Sequence, residues 1–360
     1  MLKPLASQRM HTLQRTLQQA GLGGYITTSR LEQRYLSGVD LSDGEAVFVI
    51  TPKQAYCITK KLIVAKMAPA AKFMRVIDVP FGGMVDGALA LIKQKKLTRV
   101  AFDPAQVGFE TGALFTQHKL VRTVSLVGEM RRQKYADEIA RLKKACQIAA
   151  AAFDEVKPQI KTGMSEEDVR ILIALAMIKR GAEEIPFNIV CFGENTADAH
   201  HTPSKTRKLR KNDAVLMDFG CFYEGYTSDM TRSWWHGDQA PALYTKVWQI
   251  VHNAHQASVK ILRAGVLAGD IDKAARSVIE QAGYGKEFFH TTGHGIGLQE
   301  HDLPILRAGA PDVLVENFVV TVEPGIYFDG RWGIRLEDSY LVTKTGCQKL
   351  TKTKSGRSAA

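Results

Sequence analysis

Leu209-Arg210-Lys211-Asn212-Asp213-Ala214-Val215-Leu216-Met217-Asp218-Phe219-Gly220 and Leu314-Val315-Glu316-Asn317-Phe318-Val319-Val320-Thr321-Val322-Glu323-Pro324-Gly325 align without a gap, agreeing at Leu, Asn, Val, the acid and Gly. Each copy is an apolar run that ends in an acid followed by glycine, the pattern of a buried strand entering a hairpin turn. A second strand then returns a second acid, Asp229 in Tyr226-Thr227-Ser228-Asp229-Met230 and Glu337 in Ile334-Arg335-Leu336-Glu337-Asp338. Four carboxylates therefore stand on two related hairpins. Unpaired, each is costly in so apolar a setting. No matching set of Lys or Arg lies in those strands, so the pattern points to metal.

The duplication reaches the preceding helices. A helix, Lys161-Thr162-Gly163-Met164, a shorter helix from Ser165 to Arg180 and then Gly181 are echoed by a helix from Leu243 to Arg263, Ala264-Gly265-Val266, and a shorter helix from Asp270 to Gln281 before Gly283. Ser165 and Asp270 are the expected N-caps, and the glycines the expected stops. Two helix-helix-hairpin units predict an α+β domain with an internal pseudo-twofold duplication. Equivalent hairpins then face each other across one cleft, where the four acids meet.

At 360 residues the chain has room for two domains. Short apolar runs alternate with helical segments up to about residue 130, which predicts an α/β N-terminal domain over 1–130. Neither a glycine-rich phosphate loop nor a cluster of acids or histidines occurs in it. From Arg131 the pattern changes to Ile139, Leu142, Cys146, Ala149, Phe153 and Val156 at helical spacing, the entry to a second domain over 131–352. Residues 353–360 read as a flexible tail.

The net charge of +11 comes from scattered short clusters such as Lys93-Lys95-Lys96 and Arg207-Lys208-Arg210-Lys211, without aromatic interleaving. That distribution fits a solvated basic surface and argues against nucleic-acid binding. The cysteines Cys57, Cys146, Cys191, Cys221 and Cys347 are odd in number, unevenly spaced and mostly set in apolar runs, as reduced structural cysteines are. With no signal-type or membrane-spanning stretch, the expectation is a soluble cytoplasmic protein with no membrane contact.

Metal type is decided by His290-Thr291-Thr292-Gly293-His294-Gly295-Ile296-Gly297-Leu298-Gln299-Glu300-His301, where glycines on both sides of His294 make it the candidate ligand. Oxygen ligands with one nitrogen suit manganese, cobalt, iron or zinc better than magnesium. Four carboxylates exceed the charge of one divalent ion, so two metals fit better than one.

Asp218, Asp229, His294, Glu323 and Glu337, in this order and context, resemble the ligand set of the pita-bread metallopeptidases: aminopeptidase P, prolidase and methionine aminopeptidase. The resemblance covers roughly Arg131 to Thr351, and the N-terminal domain resembles the extra, creatinase-like domain of the aminopeptidase P and prolidase branch. It implies two divalent ions, manganese first, bridged by Asp229 and Glu337. Asp218 completes one, and His294 with Glu323 completes the other. It also implies that Glu323 carries the proton from the attacking water to the leaving nitrogen. His200-His201-Thr202-Pro203 and His301-Asp302-Leu303-Pro304 share His-x-x-Pro, which favours His200 over His201 as the partner of His301. In the family such a pair orients the scissile carbonyl and stabilises the oxyanion. His290, Arg335 and His201 are the further substrate-binding candidates.

The resemblance thus implies hydrolysis of the bond before proline in a small peptide with proline second, by a homodimer. An Xaa-Pro dipeptidase is favoured, with an Xaa-Pro aminopeptidase acting on longer peptides as the alternative. A non-catalytic peptide- or protein-binding relative is the more distant one. The complete ligand set argues against that last reading and against a creatinase-like amidinohydrolase. The first 130 residues argue against a methionine aminopeptidase.

Overall fold

The computed structural model describes residues 3–354; the expected tail lies outside the described residues from 355 onward. The chain forms two compact units, Met1–Arg131 and Arg132–Ala360.

The first unit runs α1 (Lys3–Gln19), β1 (Gly24–Thr27), α2 (Arg30–Ser37), β2 (Ala46–Ile50), β3 (Ala55–Lys60), α3 (Lys61–Val64), β4 (Met74–Val79), α4 (Met84–Gln94), β5 (Val100–Phe102), α5 (Phe109–Gln117) and β6 (Val121–Arg122), and α6 (Leu126–Arg132) follows. One six-stranded sheet results, in the order β4-β3-β2-β1-β5-β6. Its centre is antiparallel, while β4, β5 and β6 join in parallel. Alternate residues Val47, Val49, Tyr56 and Ile58 share a core with Leu89 and Ile92 of α4 and Phe115 of α5. Apolar periodicity does not signal α2, because its buried side carries Glu32, Gln33 and Ser37. Glu32 there accepts hydrogen bonds from Tyr25 at 3.0 Å and Ser125 at 2.5 Å.

The second unit is built twice. Its first half comprises α7 (Ala136–Val156), α8 (Glu166–Ile178), β7 (Asn188–Phe192), β8 (Asp213–Phe219), the small hairpin β9 (Phe222–Tyr223) and β10 (Tyr226–Thr227), and β11 (Met230–His236). Its second half comprises α9 (Ala242–Ile261), α10 (Ala268–Gln281), β12 (Gly293–Gly295), β13 (Asp302–Leu306), β14 (Val319–Val322), the hairpin β15 (Gly325–Phe328) and β16 (Trp332–Arg335), β17 (Asp338–Val342) and β18 (Cys347–Lys349). The sheets run β11-β8-β7 and β13-β12-β14-β17-β18. The antiparallel trio β7-β8-β11 therefore recurs as β12-β14-β17, with β13 and β18 added at its edges.

Hydrogen bonds repeat with the topology. Gly163 N–H donates to Leu209 O and Leu209 N–H to Met164 O, both at 2.8 Å; Gly265 N–H donates to Leu314 O at 2.9 Å and Leu314 N–H to Val266 O at 2.8 Å. Asn212 and Asn317 turn the chain at φ 67° and 71°, a conformation asparagine tolerates better than most residues. One expected cap is corrected. Ser165 caps α8 in a capping box with Asp168, but α10 opens at Ala268, and Asp270 lies in its first turn. Leu267 forms a β-bridge to Val313, so the chain leaves extended geometry there and the helix begins before Asp270.

Register follows from burial. Val215, Met217 and Phe219 of β8 pack with Ala149 and Phe153 of α7 and Val169 and Ile173 of α8. Each such side chain contributes about 1.5–3 kcal/mol by leaving water. A one-residue slip would turn Asp218 toward the helices, so this packing also fixes where the acid points. The halves join along β11: Thr231 O accepts from Glu337 N–H at 3.2 Å, Arg335 N–H donates to Ser233 Oγ at 3.1 Å, and Ser339 Oγ donates to Asp229 O at 2.7 Å.

Candidate active site

All four acids lie where a strand gives way to a hairpin. Asp218 is the penultimate residue of β8 and Glu323 follows β14, while Asp229 and Glu337 immediately precede β11 and β17. His294 sits in β12, where a Cβ on Gly293 would fall 2.2 Å from Thr321 O and one on Gly295 2.2 Å from Leu303 O. The glycine frame lets neighbouring strands close on His294 from both sides. Its N–H donates to Thr321 Oγ1 at 3.0 Å, and the same hydroxyl donates to Glu323 Oε1 at 3.1 Å.

These residues converge on one cavity of about 790 Å³, lined by Asp218, Asp229, His294, Glu323 and Glu337 together with His200, His290, His301 and Arg335. Ligand atoms of Asp229, His294 and Glu337 lie within 4.8 Å of one another. His294 Nε2 is 3.2 Å from Glu323 Oε1 and 3.7 Å from Asp229 Oδ2. Burial, then the charges of Glu337, Asp218 and Glu323, push the Asp229 carboxyl well above the ordinary carboxylate range. Burial, then the charges of Glu323 and Asp218, do the same to Glu337. Burial raises Asp218 too, against the opposing charge of Arg335. Burial would also raise Glu323, but the hydrogen bond and charge of His294, with His290 and Arg335, outweigh it and bring Glu323 down to about 2.

This donor set fits divalent metal. Asp218 Oδ1 and Glu337 Oε1 are buried without a hydrogen-bond partner among the described residues. Hard carboxylate oxygens with one imidazole are the donors of a manganese-, iron-, cobalt- or zinc-type site. His294 Nδ1 lies 3.1 Å from the Gly295 carbonyl oxygen, which can only accept. In the neutral ring the proton therefore resides on Nδ1, and the Nε2 lone pair faces the acids.

Arg335 ties the acids to the cavity wall. Its Nη2 donates to Asp218 Oδ2 at 2.5 Å, its Nε to Thr231 Oγ1 at 3.1 Å and its Nη1 to the Tyr327 hydroxyl at 2.8 Å. Tyr327 in turn meets His290 Nε2 at 2.9 Å, and His290 Nδ1 lies 2.8 Å from Thr291 O. Burial lowers the His290 pKa, which suits a neutral ring accepting from Tyr327 and donating to Thr291. The ring centroids of His301 and His294 are 4.1 Å apart, so His301 stands directly beside the acid cluster. Phe187, Ile189, Phe289 and Ile305 supply an apolar wall, and Asp198 and Glu300 add two further acids to the lining.

His201 is not brought to the cavity with the others. Its Nε2 is 2.8 Å from Glu166 Oε2 and 3.1 Å from Asn195 Nδ2, so its ring is committed to a buried carboxylate. Of the two adjacent histidines, His200 lines the cavity. Tyr327 and Glu166 are the polar groups that pattern reading passes over. Both act on residues far away in sequence, and neither stands in a repeated motif.

Comparison with known proteins identifies the family. Residues 140–344 match the model of metallopeptidase family M24, and residues 9–133 match the creatinase/prolidase N-terminal domain. The chain belongs to metallopeptidase family M24. An uncharacterized peptidase of Staphylococcus epidermidis is 31% identical over 354 residues, covering 96% of this chain and 99% of the relative. Another from Bacillus subtilis is 28% identical over 347 residues, covering 95% and 97%. Among solved structures, the Xaa-Pro dipeptidase from Bacillus anthracis matches with TM-score 0.90 and 31% identity, covering 98% of this chain and 99% of that one. The X-Pro aminopeptidase from Thermotoga maritima matches with TM-score 0.85 and 30% identity, covering 97% and 98%. The M24 fold of this chain is thus an α/β N-terminal domain followed by the duplicated α+β pita-bread domain.

Proposed function

We propose that this M24 peptidase hydrolyses the bond before proline, with Xaa-Pro dipeptides favoured as substrates. The observation that carries the reading is the cluster of four acids and His294, with Asp229, Glu337 and His294 buried and Asp218 and Glu323 half-buried, flanked by His200 and His301 in one cavity with an apolar wall. Asp218, Asp229, His294, Glu323 and Glu337 are the proposed metal ligands, with manganese the proposed metal. Divalent ions held there supply Lewis acidity and water that ionises near neutral pH.

The chain's own groups do the rest. Glu323 takes a proton from the attacking water at a carboxylate oxygen and passes it to the proline nitrogen as the C–N bond breaks. His301 and His200 hold the scissile carbonyl and donate to its oxygen as negative charge develops. Arg335 keeps Asp218 oriented, and through Tyr327 it sets the ring of His290 against the substrate. Proline's nitrogen has no hydrogen to offer before cleavage, so ring contacts with Phe187, Ile189, Phe289 and Ile305 take over part of the orientation. Its five cysteines are free, which supports a reducing, cytoplasmic setting, and none of the described helices is long and apolar enough to cross a membrane. A homodimer is proposed from the family resemblance of the sequence.

One observation favours the second reading, an aminopeptidase acting on longer Xaa-Pro peptides. Among the described lining residues the single Lys or Arg is Arg335, and its guanidinium is committed to Asp218, Thr231 and Tyr327. No uncommitted guanidinium or ammonium group in this lining then faces the terminal carboxylate of a dipeptide. Turnover of an Xaa-Pro dipeptide and of an Xaa-Pro tripeptide by manganese-loaded protein separates the two readings. Cleavage of dipeptides alone establishes the dipeptidase, cleavage of the longer peptide establishes the aminopeptidase, and metal-replete protein that cleaves neither overturns both.

A further inference from the structure

Glu166 opens α8, where an acid ordinarily faces water and the positive end of the helix dipole. Here it is 0% exposed. Its Oε1 accepts from Phe192 N–H at 2.8 Å and Asn195 Nδ2 at 2.9 Å; its Oε2 meets Ser204 N–H and His201 Nε2, each at 2.8 Å. Those four donors span the loop that leaves β7, and His200 stands within it. Burying a carboxylate is costly unless its oxygens are satisfied, and here one anion gathers both ends of the loop. With His201 drawn to Glu166, the adjoining His200 is left to the cavity. The equivalent opening position of α10 is Ala268, and the loop bearing His301 is held between β12 and β13 instead.

We propose that Glu166 is a positioning residue for peptide hydrolysis, fixing the Phe192–Ser204 loop so that His200 meets the substrate carbonyl. This rests on the reading of the cavity as a peptidase site. A purely structural Glu166 would support α8 and the fold without acting through His200, and a double-mutant cycle separates the two. In E166Q one acceptor becomes a donor facing Ser204 N–H. Steady-state kinetics of the manganese-loaded wild type, E166Q, H200A and the double variant should show E166Q lowering kcat about tenfold with KM within about twofold. In the H200A background E166Q should then change kcat by less than about twofold. Multiplying effects, or an unchanged kcat in E166Q, overturn the proposal. If E166Q fails to fold by circular dichroism, N195A replaces it in the same cycle with an expected loss of about threefold, again silent beside H200A. Multiplying effects of N195A, or none, overturn it equally.

A readout independent of turnover keeps this test apart from the functional reading. Trypsin cleavage after Lys205 should accelerate at least about fivefold in E166Q, or about twofold in N195A, as the loop is released. Unchanged cleavage overturns the clamp. A wild type that hydrolyses no peptide overturns the peptidase reading, while the trypsin result still decides whether Glu166 holds the loop.

Discussion

The two halves of the second unit share a plan but secure their site residues differently. In the second half His294 and His301 stand in and beside the paired strands β12 and β13, so sheet hydrogen bonds hold both. In the first half His200 lies on a loop outside the sheet, gathered by the buried carboxylate of Glu166 and also held by Arg335 Nη1, which donates to Ala199 O at 3.3 Å, and by Gly333 N–H, which donates to Thr196 Oγ1 at 2.9 Å. The chemistry divides unevenly as well. The gapless alignment matches Leu216 with Thr321: Leu216 faces Cys191 across the sheet, whereas Thr321 Oγ1 receives the His294 N–H. A duplicated scaffold can thus keep its acids in register while only one copy acquires the imidazole.

The sharpest way to break this comparison is to neutralise matched acids. Glu323→Gln should reduce kcat by about 10³-fold in manganese-replete protein, because it removes the proposed proton carrier. Asp218→Asn, its counterpart, should act mainly through weakened metal binding, with excess manganese recovering part of the rate. Activity measured across a manganese titration checks both, and equal, metal-insensitive losses would erase the proposed division of labour.

The two histidines come next. His301→Ala should lower kcat about 10²-fold and His200→Ala about tenfold, with bound metal largely retained in both. Elemental analysis alongside kinetics provides the check, and a larger effect at His200 would reverse the assignment. Metal removal should then destabilise the second unit, since an ion that binds the folded site and not the unfolded chain stabilises the fold by mass action. A ligand at 100 times its Kd contributes about 2.7 kcal/mol. At about 2–4 °C per kcal/mol, chelation should lower the melting temperature by roughly 5–11 °C. Calorimetry with and without chelator measures it, and an unchanged Tm would mean that metal does not bind the folded state there.

The smallest expected effect tests the duplication itself. Gly181 and Gly283 end the second helix of each half at φ 96° and 88°. Gly181→Ala and Gly283→Ala should each cost about 1–2 kcal/mol, equal within about 0.5 kcal/mol. Chemical denaturation reads both, and a cost at one position alone would separate the two turns energetically.

Much of this was legible in the chain because duplication makes weak local signals testify for each other. Asp218 and Glu323 are single acids at strand ends, yet they occupy one position of a repeated frame, and Gly293 and Gly295 announce a close approach around His294. Arg335 is legible from its place two residues before Glu337, on the same side of the chain. What pattern could not decide depends on distant partners. His200 and His201 are neighbours with nearly the same local context, and the residue that separates them, Glu166, lies in another element. Tyr327 stands in the apolar β15, and its partners Arg335 and His290 belong to β16 and to the loop before β12. The helix α2 escapes apolar periodicity because its buried polar side chains are satisfied inside the fold.

Thr231 belongs to the first half, yet its hydroxyl donates to Glu337 Oε2 at 2.7 Å and accepts from Arg335 Nε, while its carbonyl receives the Glu337 N–H. A residue of one copy thereby finishes the carboxylate of the other. Separated from its twin, the second half would leave Glu337 without that hydroxyl donor and that backbone acceptor, so the duplicated units complete one shared site rather than each holding its own.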